Sequence, residues 1–303
     1  MTTPSAPPLA AAPSALSAWL LAIRPKTLPA AVGPILVGTA VAIHEGGFHA
    51  GITLVALLVA LLLQIASNLA NDVLDFRKGA DTQERLGPTR VTQGGLIPQR
   101  QVAIATALVL AAAMVLGLVL VWRGGWPILL LGAAALVAAV AYTGGPAPLG
   151  YLGLGEVFVF IFFGVAGVAG SAYVQTLDLT PLALIASVPV GCLVTGILVV
   201  NNLRDIDTDR SAGKRTLAAR FGARFARAEY AVLLAIAYLT PPLLWLLGEI
   251  GPWFWLPLLT LPVAIPLARR VGTTSGRALN PLLGQTARLS LLFAIPFAGS
   301  IVL

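Results

Sequence analysis

The chain has 303 residues, of which 58% are hydrophobic and only 10% are charged, and its mean hydropathy is +0.91. Soluble domains are about 25% charged, so this composition excludes an ordinary soluble protein and indicates a membrane protein. Cys192 is the only cysteine, which excludes an intramolecular disulfide. The two histidines, His44 and His49, have no further Cys or His nearby, so no metal site is predicted there.

The first 20 residues are rich in Pro, Ala and Ser and contain no Lys or Arg. A secretory signal needs a basic region at its start, so none is predicted here. We predict a disordered tail over residues 1–20 and a single domain over residues 21–303.

Nine apolar runs follow the tail, each close to the length of about 20 residues that a membrane-crossing helix needs. They lie at approximately 26–43, 51–71, 101–121, 127–143, 151–171, 181–202, 229–248, 252–269 and 282–302. Gly and Pro recur inside several runs, which membrane helices tolerate better than soluble ones. The sequence therefore predicts an all-α membrane protein, a bundle of about nine transmembrane helices.

The basic residues predict how this bundle is oriented. Of the 19 Lys and Arg residues, 17 lie before or at the start of the first run, or in the loops after runs two, six and eight. Arg123 lies on the other side, and Arg288 lies inside the last run. By the positive-inside rule, the N-terminus and these loops are cytoplasmic, and an odd number of spans puts the C-terminus outside. We predict a multi-pass protein of the cell (inner) membrane, whose positive charge needs no nucleic-acid partner.

Seven of the 12 acidic residues lie in two of these cytoplasmic loops. The first cluster belongs to "ANDVLDFRKGAD" (70–81) and the second to "NNLRDIDTDRSAGKRT" (201–216). An offset of 130 residues relates Asn71 and Asp75 to Asn201 and Asp205, four spans later. This correspondence indicates a diverged internal duplication with Asp-rich helix ends in equivalent places.

The spacing within each cluster suggests a convergent patch of oxygen atoms. If both motifs continue their helices, each puts an amide and two carboxylates on one face: Asn68, Asp72 and Asp75 in the first, and Asn202, Asp205 and Asp209 in the second. Asp207 would then point about 200° away from Asp205. Oxygen donors without His or Cys select Mg²⁺, which favours substrate phosphates as additional ligands. The cluster therefore predicts a phosphorylated substrate at the cytoplasmic mouth of the bundle.

These motifs resemble the paired aspartate-rich motifs of the UbiA-type intramembrane aromatic prenyltransferases. The similarity is closer to one branch, the 1,4-dihydroxy-2-naphthoate polyprenyltransferases of menaquinone synthesis. It extends over nearly the whole chain from residue 24 and is carried by "RPKTLPAAVGPILVGTA" (24–40), "YTGGPAPLGYLGLGEVFVFIFFG" (142–164), "NNLRDIDTDRSAGKRTLAARFG" (201–222) and "LNPLLGQTA" (279–287). The resemblance implies nine helices around a central cavity that opens laterally to lipid.

Two positions depart from the family pattern. The third aspartate of the first motif is Asp81, where the usual spacing would put it at Gly79. The "GGPxP" stretch has Ala147 where a Lys is often expected, so a diphosphate contact from that position is not implied.

The resemblance also implies a set of functional residues. Two Mg²⁺ ions that bridge the diphosphate of a polyprenyl donor would be held by Asn71, Asp72, Asp75, Asp81, Asn202, Asp205 and Asp209. Within this set, the implied catalytic residues are Asp72, Asp75, Asp205 and Asp209. The leaving diphosphate would be neutralised by Arg77, Lys78, Lys214 and Arg215. The aromatic candidates to line the cavity are Tyr142, Tyr151, Phe158 and Phe162, and the basic candidates to meet the acceptor's carboxylate are Arg24 and Lys26.

The implied reaction is transfer of the polyprenyl group from polyprenyl diphosphate to 1,4-dihydroxy-2-naphthoate, with loss of CO₂ and formation of demethylmenaquinone. Its partners are these two substrates and membrane lipid, and its cofactor is Mg²⁺. One alternative is a prenyltransferase with another aromatic acceptor, such as 4-hydroxybenzoate or homogentisate. A membrane transporter is less favoured, because transporters usually bind substrate near the bilayer midplane, whereas these acids lie at helix ends. The sequence leaves the prenyl chain length and the oligomeric state open.

Overall fold

The computed structural model describes residues 14–79, 86–146 and 148–303, and every regular element in those ranges is helical. Asp81 and Ala147 lie outside the described residues. The helices, in chain order, are α1 (Ala15–Ile23), α2 (Pro29–His44), α3 (Ala50–Arg77), α4 (Gln99–Gly124), α5 (Trp126–Ala141), α6 (Gly155–Thr176), α7 (Pro181–Arg204), α8 (Ile206–Ser211), α9 (Leu217–Leu246), α10 (Pro252–Thr273) and α11 (Gly276–Val302). The predicted all-α membrane fold is confirmed.

Seven of these helices are long and apolar enough to cross a membrane: α3, α4, α6, α7, α9, α10 and α11. An eighth candidate is the pair of α1 and α2, which is bent by 46°. Helix α1 ends before this bend, and its C-cap is Arg24, which has a left-handed φ of 57° and precedes Pro25. The residue before a proline is disfavoured in α-helical geometry, so a helix end is expected there. The remaining predicted span corresponds to α5, which is apolar but has only 16 residues. The count of nine therefore stays a prediction.

Helix α1 begins inside the segment that the sequence predicts as a disordered tail. Ser14 caps it, since its Oγ accepts a hydrogen bond from the amide of Ser17. Ala18 and Ala22 are buried in an apolar cluster that includes Leu69 on α3. The predicted tail is therefore wrong over residues 15–20, where burial of a small apolar face stabilises a helix.

Helix α7 is the most buried of the membrane-crossing candidates and packs against α2, α6, α9 and α11. Its contact with α6 is close because both helices place glycine there. A Cβ atom built on Gly164 would lie 2.9 Å from the Cα of Gly191, so neither helix has room for a side chain at this crossing. Small residues allow such close helix packing in membranes, where burial of apolar surface drives helices together only weakly.

The middle of α6 departs from α-helical geometry. Residues Phe160–Ala169 form a π-helix, in which each N–H pairs five residues back and the turn is wider. π-Helical turns occur frequently at functional sites. In this protein Phe162, Phe163, Ala166 and Gly167 from that stretch line the central cavity.

Candidate active site

A cavity of about 1100 Å³ lies between α2, α3, α4, α5, α6 and α7. Its walls are mainly apolar side chains of these helices, and its polar side chains concentrate where α3 and α7 end. The residues at this polar end include Asn71, Asp75, Arg90, Asn201, Asn202, Arg204, Asp205, Asp209 and Lys214. The structure thus brings the two acidic motifs to one end of one cavity.

The first motif supplies Asn71 and Asp75, which lie four residues apart on α3 and both line the cavity. Helix α3 continues unbroken to Arg77, so the helical spacing applies to the first motif. The Asp75 carboxylate is buried and accepts two hydrogen bonds, from Arg90 Nη2 at 2.9 Å and from Tyr151 Oη at 3.1 Å. The Oδ1 atom of Asn71 accepts a hydrogen bond of 2.5 Å from the Thr143 hydroxyl.

Asp72 makes different contacts. Its Oδ2 and Oδ1 atoms accept hydrogen bonds of 3.0 Å from the backbone amides of Val91 and Thr92, and it is only 2% exposed. It is not among the residues that line the cavity. These contacts attach the connection between α3 and α4 to the end of α3. The role of Asp72 as a metal ligand stays a prediction.

The second motif does not continue its helix, and the expectation of one continuous helix over residues 202–209 is wrong. Helix α7 ends at Arg204, and Asp205 leaves α-helical geometry (φ −99°, ψ 11°) before the short helix α8. At this break the Arg204 guanidinium makes a bidentate pair with the Asp205 carboxylate, with Nε–Oδ1 and Nη2–Oδ2 distances of 2.8 and 2.5 Å. Such charge-assisted pairs are strong and hold the carboxylate in one place.

Arg204 also connects this break to its surroundings. Its Nη2 atom donates to Asn201 Oδ1 at 2.8 Å, and its Nη1 atom donates to Asn280 Oδ1 on α11 at 2.9 Å. The neighbouring amide, Asn202, donates instead to Glu156 Oε1 at 2.8 Å. Asn201 and Asp205 thus correspond to Asn71 and Asp75, as the offset of 130 residues indicates.

Lys214 links the two motifs. Its Nζ atom lies 3.7 Å from Asp209 Oδ1 and 3.9 Å from Asp75 Oδ1. Burial raises the pKa of the Asp209 carboxyl to about 6, although the nearby Lys214 ammonium opposes this increase. By contrast, the Asp207 side chain is 95% exposed and lies 3.8 Å from Arg210.

Two lysines flank the ring of Tyr151. The Nζ atoms of Lys78 and Lys214 lie 5.0 and 4.8 Å from its centroid, within the range of cation–π attraction. The Nζ atom of Lys78 also donates to the carbonyl of Thr143 at 2.7 Å, and burial lowers its pKa. The backbone amide of Arg215 donates to the Tyr151 carbonyl at 2.8 Å. Tyr151 therefore joins the connection after α5 to the loop after α8.

The remaining predicted residues fall into two groups. Those that line the cavity are Arg24, Lys26, Tyr142, Phe158 and Phe162. Those that are exposed and do not line it are Arg77 and Arg215. The predicted metal ligand Asp81 lies outside the described residues.

The donor atoms at the polar end fit a hard cation such as Mg²⁺. Among residues 14–79, 86–146 and 148–303, no group of three His, Cys, Asp or Glu side chains is already arranged around a metal position. The carboxylates of Asp75, Asp205 and Asp209 nevertheless line one cavity end together with the amides of Asn71, Asn201 and Asn202. Mg²⁺ commonly takes one or two carboxylates, with water and substrate phosphate completing its ligands. This oxygen-only set therefore suits a metal that arrives with a phosphorylated substrate.

Comparison with known proteins identifies the family. The sequence model of the UbiA prenyltransferase family matches residues 31–287. The chain belongs to this family. It is 40% identical over 297 residues to the 1,4-dihydroxy-2-naphthoate octaprenyltransferase of Escherichia coli (strain K12), with 96% of each chain covered.

Two further comparisons agree with this placement. The UbiA-family chain is 38% identical over 287 residues to the 1,4-dihydroxy-2-naphthoate octaprenyltransferase of Mycobacterium tuberculosis (strain ATCC 25618 / H37Rv), covering 93% of this chain and 96% of that one. Its fold is similar to that of a UbiA homologue from Archaeoglobus fulgidus bound to GPP and Mg²⁺, with a TM-score of 0.67 and 15% identity. That match covers 94% of this chain and all of the other.

Sequence reasoning missed several residues of the polar end. Arg90 lies in the loop after the second apolar run, and its contact with Asp75 depends on how the connection between α3 and α4 folds. Asn280 and Glu156 reach the site from α11 and α6, and no local spacing indicates them. Asn201 had a signal, since the 130-residue offset pairs it with Asn71.

Proposed function

We propose that this UbiA-family protein transfers a polyprenyl group from polyprenyl diphosphate to 1,4-dihydroxy-2-naphthoate. The observation that carries the proposal is a single large cavity, apolar along its walls and lined at one end by both acidic motifs. An amphipathic donor matches this division, because its tail suits the apolar walls and its diphosphate suits the polar end. The named relatives in Escherichia coli and Mycobacterium tuberculosis support the choice of a naphthoate acceptor.

The diphosphate would be held by cations and by Mg²⁺. Arg90, Arg204 and Lys214 line the polar end, and each is paired with a carboxylate there. Mg²⁺ would be held by the carboxylates Asp75, Asp205 and Asp209, together with the amide oxygens of Asn71 and Asn201. When bound, Mg²⁺ acts as a Lewis acid that stabilises the negative charge on the departing diphosphate.

The apolar part of the cavity would protect the carbon from which the diphosphate departs. Cleavage of the allylic C–O bond leaves positive charge on that carbon, and water would capture it. The rings of Tyr142, Phe158 and Phe162 line the cavity and present π-electron density that stabilises a cation. These side chains also exclude water from the space that the prenyl tail occupies.

The acceptor would approach from the bend between α1 and α2. Arg24 and Lys26 line the cavity there and would meet the carboxylate of the naphthoate. The electron-rich ring then forms the new C–C bond, and its carboxylate leaves as CO₂. The product of this step would be the 1,4-diol, which is the reduced (quinol) form of demethylmenaquinone, because no oxidant takes part.

Isotope-labelled acceptor tests this function directly. Detergent-purified protein receives a polyprenyl diphosphate, Mg²⁺ and 1,4-dihydroxy-2-naphthoate labelled in its carboxylate. We expect labelled CO₂ and unlabelled prenylated product, no turnover in excess EDTA, and recovery when Mg²⁺ is restored. Turnover only with 4-hydroxybenzoate would favour the alternative acceptor, and prenylated product that keeps the label would contradict the loss of CO₂. Activity in excess chelator would contradict the role of Mg²⁺.

We further propose that the polar end faces the cytoplasm of a cell whose inner membrane holds the bundle. The support is the concentration of Lys and Arg in the loops at this end. A topology reporter inserted between residues 211 and 213, in the loop after α8, should report the cytoplasm. One fused after Leu303 should report the outside, and the reverse pattern would contradict the orientation.

A further inference from the structure

A second cleft, separate from the central cavity, lies on the outer surface of the bundle between α10 and α11. Its volume is about 350 Å³. The apolar residues that line it are Pro262, Val263, Pro266, Leu267 and Leu292, and the polar ones are Arg270, Gln285 and Arg288. Two arginines on an otherwise apolar surface require an explanation.

The two arginine side chains lean toward each other. Helices α10 and α11 are joined by only two residues and are therefore antiparallel neighbours. Side chains on a helix tilt toward its N-terminus, so Arg288 tilts toward the connected end of the pair and Arg270 tilts away from that end. The Nη1 atom of Arg270 donates to Gln285 Oε1 at 3.2 Å, and Gln285 lies one turn before Arg288.

No acidic side chain among the described residues balances this pair. The sequence contains no Asp or Glu after Glu249, so neither α10 nor α11 carries an acid. Within the part of the chain that the structure describes, no acidic side chain forms an ion pair with Arg270 or Arg288. Two like charges that converge without a carboxylate favour binding of an external anion.

The position of the cleft indicates where that anion comes from. Arg288 lies eight residues, or about 12 Å along the helix, beyond Asn280, whose side chain binds the connection between α3 and α4 at the polar end. Arg288, Val263 and Leu292 are all exposed, on a surface that faces lipid when the bundle crosses a membrane. Arginine at such a depth extends its head group toward the interface, where lipid phosphates lie.

We propose that this cleft binds an anionic phospholipid. The guanidinium groups of Arg270 and Arg288 hold the phosphate, and the Gln285 amide nitrogen is available to donate to it because Oε1 already accepts from Arg270. An acyl chain lies along Val263 and Leu292. Basic pockets between transmembrane helices on the cytoplasmic side recognise anionic head groups in this way. The proposal does not depend on the reaction that the central cavity performs.

Lipid retention measured by native mass spectrometry tests the proposal. Detergent-purified protein is mixed with phosphatidylglycerol or with phosphatidylcholine of the same acyl chains. We expect one phosphatidylglycerol to be retained preferentially, and Arg270→Gln and Arg288→Gln each to weaken its binding about fivefold. Arg269→Gln is the matched control, since it removes the same charge from the adjacent residue, which does not line the cleft.

Four results would overturn the proposal. Equal retention of the two lipids would show that the cleft does not select an anion. An equal loss in Arg269→Gln would show diffuse surface attraction. Unchanged binding in both cleft variants would place the lipid elsewhere. Protection from thermal unfolding by inorganic phosphate as strong as that by phosphatidylglycerol would assign the cleft to free phosphate. If Arg288→Gln does not fold, lipid binding is compared between Arg270→Gln and Arg288→Lys instead. Arg288→Lys should retain most of the binding.

Discussion

Replacement of Asp72 by Asn separates two roles for this residue, as an anchor of the connection between α3 and α4 and as a metal ligand. In the structure both carboxylate oxygens accept backbone amides, from Val91 and Thr92. Asn keeps the shape, but its Nδ2 atom is a donor and would face one of these N–H donors. Loss of one hydrogen bond to a charged group, with a buried donor left unpaired, costs about 3 kcal/mol. We expect this loss to destabilise the part of the connection between α3 and α4 that follows Arg90.

Hydrogen exchange followed by mass spectrometry measures this effect. A loss of about 3 kcal/mol in the free energy of local opening raises the exchange rate of the Val91 and Thr92 amides about a hundredfold. Asp207→Asn is the control, because it makes the same chemical change on an exposed side chain and should leave exchange unchanged. The reasoning is refuted if Asp72→Asn keeps the protection of these amides while its Mn²⁺ affinity falls. That result would make Asp72 a metal ligand.

Three other variants test the polar end. Asp209→Asn should lower kcat about a hundredfold or more, whereas Asp207→Asn should retain most activity. Equal losses would show that the buried and the exposed carboxylate do not differ in their contribution to catalysis. Lys214→Met should raise the affinity for Mn²⁺ in the absence of diphosphate, because no ammonium then competes for the carboxylates, and electron paramagnetic resonance measures this affinity. The same variant should raise the KM of the donor. A lower Mn²⁺ affinity would contradict the reasoning. In Glu156→Gln, the new amide nitrogen can donate to Asn202 Oδ1, so the Asn202 amide can adopt the flipped orientation. We expect the KM of the donor to rise about tenfold, and an unchanged KM would show that Glu156 does not position Asn202.

The sequence predicted part of the site from helix periodicity. Helix α3 is continuous through the first motif, but only Asn68 and Asp75 of the predicted face line the cavity. Asn71 lines it with them, whereas Asp72 does not. The 130-residue offset relates Asn71 and Asp75 to counterparts in the second motif, which line the same cavity. The apolar runs located most of the helices because a membrane-crossing helix needs about 20 mostly apolar residues.

Features that depend on contacts between distant segments could not be predicted. Helix α7 ends at Arg204, where Asp205 pairs with that guanidinium, and helical spacing alone gives no sign of the break. The orientation of the Asn202 amide is set by Glu156, 46 residues earlier. The end of α1 at Ile23 follows from Pro25, which a hydropathy count treats as one residue among many.

The one-sided polarity of the central cavity also affects how a turnover ends. In the proposed reaction the donor would have affinity for both parts of the cavity, because its diphosphate suits the cations at the polar end and its tail suits the apolar walls. The prenylated product has neither diphosphate nor carboxylate, so the cations that held the substrates no longer bind it. Its remaining contacts are with apolar walls, and lipid tails offer contacts of equal quality. Product release is then a partition into the bilayer. The reaction itself permits it, because loss of the diphosphate and of the carboxylate, as CO₂, removes the two anionic groups that the cations bound.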